Sequence, residues 1–230
     1  MSQRLLVWDV PTRVFHWLLA LSFGGAFLTA ESERYRDIHV VLGYTLLGLI
    51  AFRLLWGVIG TRYAQFGSFL FKPGEIVDYL FSLLKGKPAH YVGHNPLGSV
   101  AIWLLLALGI SAGLTGMMLF QDIGGEAAEE LHEFAANAML AVVLMHLAGV
   151  VVSSMLHREN LVRSMVTGFK RVPGQISVSA RPDDGGVRRS YAWLGVIMLT
   201  AVVAFWVYYP STGLVTPGAA TAHTEQHDDD

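Results

Sequence analysis

The chain has 230 residues, of which 53% are hydrophobic and 15% charged, and its formal charge of −2 is nearly balanced. That exceeds ordinary soluble usage and places it in the membrane class, with lipid as its main surroundings and nothing that points to nucleic acid. Cysteine is absent and nine histidines are present, which removes disulfides, iron–sulfur ligation and C-x-x-C-H attachment and leaves histidine or methionine to hold a redox cofactor without covalent attachment. No G-x-G-x-x-G, P-loop or G-x-S-x-G element occurs, so nucleotide binding and hydrolase chemistry have no support.

Five apolar runs have the roughly 17 to 25 residues needed to cross a bilayer: about 14–30, 39–60, 97–120, 131–156 and 190–209. They predict an all-α integral membrane protein, a four-helix bundle plus a fifth transmembrane helix. The first run ends in a faintly signal-like Leu28-Thr29-Ala30, yet carries His16 and Trp17 inside its apolar part, and is read as a mature helix. Pro73-Gly74-Glu75 opens a pattern with Ile76, Leu80, Leu83 and Leu84 on one side, which predicts an interfacial amphipathic helix over Gly74–Lys85. Asn95-Pro96 supplies a cap and first-turn pair for the third span. The stretch 171–189 reads as a cytoplasmic linker, and the small, acidic end 210–230, with His223 and His227, as a disordered periplasmic tail.

Lys and Arg set the orientation. Arg4, Arg13, Arg62, Lys72, Lys85, Lys87 and the run from Arg158 to Arg189 fall on one side, against Arg34 and Arg36 on the other. The chain is expected in the bacterial inner membrane, with its N-terminus cytoplasmic and its C-terminus periplasmic.

The fourth span, LHEFAANAMLAVVLMHLAGVVVSSMLH, holds two histidines. His132 and His146 are 14 residues apart, roughly 21 Å along a helix and within about 40° of one face. Ionisable groups at membrane depth read as functional. With the expected topology, His132 lies level with His39 near the outer face, and His146 level with His16 near the inner face. Two opposed imidazoles at each level suit a six-coordinate haem, so two haem b groups stacked across the bilayer are expected. Gly43 and Gly149 stand one turn from ligand positions, where a flat macrocycle needs neighbours without side chains, although small residues are also ordinary at membrane helix contacts. Arg53 lies deep in the second span, either snorkelling to the inner phosphates or meeting a haem propionate or quinone head group. His157 reads as an interfacial histidine or as a residue lining a quinone pocket or replacing a ligand, and His94 as a loop residue helping to cap the third span or as a contact to the inner haem edge or a quinone.

VWDVPTRVFHW, the IHVVLGY run with Arg53 downstream, WGVIGTRYAQF, GHNPLG, LHEFAANAMLAVVLMH and RENLVRSMVTGFK, taken in order, resemble the prokaryotic cytochrome b561 family. The resemblance is nearest to the b-type cytochrome subunits of membrane-bound nickel-iron hydrogenases and covers about Val7 to Lys170. It implies a dihaem cytochrome domain over 1–170. There, residues matching His16, His39, His132 and His146 would ligate two b haems that pass electrons between a periplasmic redox partner and the quinone pool. The short outer loop 121–130 and the fifth helix depart from the hydrogenase pattern. Its acidic Asp122, Glu126, Glu129 and Glu130 would suit a c-type cytochrome. A stand-alone superoxide:quinone oxidoreductase is the enzymatic alternative, with Arg34 and Arg36 drawing in the anion.

Overall fold

A computed structural model describes residues 2–86, 88–173 and 186–209. Lys87, most of the expected linker (174–185) and the expected tail with His223 and His227 lie outside the described residues.

Helix α1 (Val10–Thr29) begins earlier than its apolar run because Asp9 caps it: the Thr12 amide donates to Asp9 Oδ1 at 2.7 Å, and Pro11 occupies the first turn. Helix α2 (Arg36–Ile59) follows a short 3-10 turn. Helix α3 (Pro73–Leu84) forms where the amphipathic pattern places it, with the Lys72 amide donating to Glu75 Oε2 at 2.6 Å. Helix α4 (Pro96–Phe120) starts at the expected Asn95 cap, whose side chain accepts from the Gly98 amide at 2.7 Å.

Helix α5 (Gly125–Leu156) has 32 residues, about 48 Å of length at about 1.5 Å per residue, well beyond the roughly 30 Å hydrocarbon core. The loop expected over 121–130 is therefore a tight turn. Asp122, Gly124 and Gly125 take φ of 55°, 95° and 52°, reversing the chain so quickly that Glu126, Glu129 and Glu130 fall within the helix. A short helix α6 (Leu161–Thr167) and the apolar α7 (Ala192–Tyr208) complete the helical part.

Among the described residues, α2 with its preceding turn, α4 and α5 are long and apolar enough to cross a membrane. Helix α7, with 17 residues, is apolar but shorter, and α1 has 20 residues with Arg13 and His16 among them. Large apolar side chains such as Leu28, Val58, Met155 and Val207 are exposed, as expected where lipid is the solvent. Inside, Leu46, Ile50, Leu106 and Met139 form a core that joins α2, α4 and α5, with Leu19 and Phe23 of α1 against it. Phe15, Leu49 and Met198 bring α7 onto α1 and α2, and Trp206 Nε1 donates to Thr45 Oγ1 at 2.9 Å. The molecule is an all-α membrane protein in its main body.

One small sheet was not expected. Strand β1 (Ser2–Leu6) pairs antiparallel with β2 (Phe169–Pro173), Leu6 opposite Phe169. The expected linker thus begins inside a strand, with Arg171 and Val172 in the ladder. Beyond it, the Val187 amide donates to Leu6 O at 2.7 Å and the Val10 amide to Ser190 O at 2.9 Å, leading the chain into α7.

Candidate functional site

His39 on α2 and His132 on α5 face each other, their ring centroids 6.2 Å apart and their planes at 70°. Each ring is held from behind by a backbone carbonyl: His39 Nδ1 lies 2.8 Å from Ala26 O and His132 Nδ1 2.8 Å from Ala112 O. With Nδ1–H donating to the carbonyl, the lone pair of each ring sits on Nε2, the orientation found behind metal-bound histidines. An axial metal–nitrogen bond of about 2 Å on each side, plus about 1 Å from nitrogen to ring centre, calls for a centroid separation of about 6 Å. The observed spacing fits a metal held between the two rings. Gly116 makes room for this arrangement, since a Cβ there would stand 2.9 Å from His132 Cε1.

His16 on α1 and His146 on α5 lie within Coulombic reach of one another. His16 packs edge-on against Trp17 at 5.2 Å, and its buried Nδ1 has no hydrogen-bond partner among the described residues. The structure thus brings His39 of α2 and His132 of α5 face to face, and puts His16 of α1 within electrostatic reach of His146 of α5. Among the described residues no group of three or more His, Cys, Asp or Glu could hold a metal ion. A Cβ at Gly43 or Gly149 would meet nothing within 4 Å, and both positions border open space.

Arg53 does not snorkel. It is 4% exposed, its guanidinium 4.8 Å over the Phe66 ring and 5.7 Å over Phe69, and its buried Nη1 has no hydrogen-bond partner among the described residues. Asp9, also buried, is the nearby counter-charge, but its oxygens already accept from the Thr12 amide, from Trp56 Nε1 at 3.1 Å and from the Thr61 hydroxyl. Asp9 therefore ties the start of α1 to the end of α2, a role for which the sequence offered only the motif VWDVPTRVFHW.

Of the two readings of His94, capping of α4 falls to Asn95. The His94 ring instead packs against Trp8 at 4.7 Å and Phe69 at 4.6 Å, with Nδ1 buried and unpartnered among the described residues. Burial first, then the charges of Arg53 and Lys170, push it down to about 3. It also lies within Coulombic reach of His146 and His16, so it belongs to the neighbourhood of that pair.

Near this end, His157 is no isolated interfacial residue. It meets His90 edge-on at 5.0 Å, His90 Nε2 lies 3.4 Å from Glu159 Oε2, and Lys170 Nζ lies 3.7 Å from the same oxygen and donates to Tyr91 O. Burial alone would raise Glu159, but the His90 hydrogen bond and the Lys170 charge outweigh it and hold the carboxyl below its usual range. Lys170 is lowered by burial, against the pull of Glu159. This cluster joins the segment before α4 to the α5–α6 junction and β2.

Comparison with known proteins bears on the family of the chain. Residues 7–168 match the family described as prokaryotic cytochrome b561. The chain is 23% identical to a probable Ni/Fe-hydrogenase B-type cytochrome subunit of Rhodobacter capsulatus, over 71% of this chain and 80% of that protein. It is 25% identical to a subunit of the same description from Azotobacter vinelandii, over 71% and 87%, and 24% identical to one from Escherichia coli K12, over 50% and 60%. No solved structure matches. With most of its length matched, the chain belongs to the prokaryotic cytochrome b561 family: it is a multi-pass inner-membrane b-type cytochrome, which implies haem b and electron transport.

Proposed function

We propose that the protein carries electrons across the inner membrane through two bis-histidine b haems, one held by His39 and His132 and the other by His16 and His146. The observation that carries the reading is the outer pair, two rings 6.2 Å apart with both Nδ1 atoms on backbone carbonyls. The inner pair is supported by its Coulombic proximity and the unpartnered His16 Nδ1. Gly43 and Gly149 border the macrocycles, and Arg53 supplies a buried cation beside the inner one. Haem iron, when bound, supplies a one-electron couple. The chain's own part would be to present two imidazole pairs that share helix α5, to orient His39 and His132 through their second nitrogens, and to keep water away with apolar side chains.

All five long helices cross the bilayer in this reading, with residues 1–170 as the haem domain, 171–189 as a cytoplasmic connection, 190–209 as the fifth span and 210–230 periplasmic. The N-terminus is cytoplasmic, on the side of Arg13, Arg163 and Arg171. Electrons pass between a periplasmic redox protein and quinone. The relatives are named as hydrogenase subunits, which favours a hydrogenase-like partner over a stand-alone superoxide:quinone oxidoreductase. The acidic α4–α5 turn, with Asp122, Glu126 and Glu129 around an open cleft, suits a basic partner surface such as that of a c-type cytochrome.

A redox titration of the purified protein should resolve two low-spin haem couples, both reducible by a quinol analogue. A single high-spin centre would overturn the assignment.

A further inference from the structure

A buried guanidinium is costly unless its donors are met. Arg53 is nearly inaccessible, and the faces of Phe66 and Phe69 satisfy its π-facing side without accepting an in-plane N–H. Its Nη1 stays unpartnered among the described residues, and all the hydrogen bonds seen at Asp9 go to other donors. Phe69, itself 1% exposed, also packs on His94, so one ring supports both side chains. His94 Nδ1 is likewise buried without a partner among the described residues. Through His94, which is within Coulombic reach of Arg53, His146 and His16, the two unmet nitrogens are located beside the inner histidine pair.

We propose that Arg53 and His94 form a carboxylate clasp for the propionates of the haem held by His16 and His146. The inference rests on the proposed inner haem and adds what fixes that haem's edge. A planar guanidinium presents parallel N–H donors that match a carboxylate, and the imidazole adds a further nitrogen. Lys170 also reaches His94 electrostatically, but it is already engaged by Glu159 and Tyr91 O, so the clasp consists of Arg53 and His94. This accounts for a permanent cation buried among aromatic rings without an ion-paired side chain among the described residues.

The test uses the full chain with His132→Ala, which retains the inner haem, carrying haem labelled with ¹³C at the propionate carboxyls. Redox-difference infrared spectra should show labelled carboxylate bands that shift in Arg53→Lys and in His94→Gln, and the haem should dissociate at least tenfold faster in Arg53→Met. Arg53→Lys keeps the charge and so keeps the fold testable. Unchanged bands in variants that retain haem overturn the clasp alone. Absence of haem from the His132→Ala chain overturns the two-haem reading, and the clasp with it.

Discussion

A histidine that gives Nδ1–H to a backbone carbonyl has one nitrogen left for other work, and its ring can no longer turn freely. His39 and His132 both do this, from different helices, toward the same space. Exchanging Gly116 for Val forces a Cβ into His132 Cε1, and the expected result is loss or spectral perturbation of one haem with the other intact. Asp9→Ala removes a helix cap, about 1 kcal/mol, and strands the Trp56 and Thr61 donors, about 1–3 kcal/mol each where buried. Thermal unfolding of the variant should show a loss of about 3 kcal/mol or more. Glu159 gives a pH signature. Because its folded-state pKa is depressed, its contribution to stability is fully present above the usual carboxylate range and is lost as pH falls through that range toward the folded value. Glu159→Gln should flatten that acid limb, read as the thermal midpoint against pH. That His39 and His132 face each other was legible in the sequence because helical rise and topology convert residue number into depth. The burial of His94 was not, since a loop residue has no periodicity to place it, and the packing of Trp8 and Phe69 around it reveals it.

At the scale of elements, α5 does the most: it carries one histidine of each proposed pair, His132 and His146. Inserting a single alanine after Ala138 rotates His132 about 100° relative to His146, and one haem should be lost while helix content, followed by circular dichroism, is preserved. The long apolar helices could be read directly from their runs, and the α3 and α4 starts from Pro73 and from Asn95-Pro96. The α5 start could not, because Gly124 and Gly125 look like loop residues whether they close a four-residue turn or part of a ten-residue one. The ribbon of β1 with β2 was also hidden. Its strands are five residues each, short, basic and separated by nearly the whole chain, and such non-local pairing leaves no local pattern.

For the whole molecule, the claim is that one helix bundle holds two irons at two depths, each clasped by imidazoles from different helices. The most direct measurement is haem per chain by pyridine haemochrome on the wild type, His132→Ala and His146→Ala. The account predicts two, one and one; a wild-type value of one, or two in either variant, contradicts it.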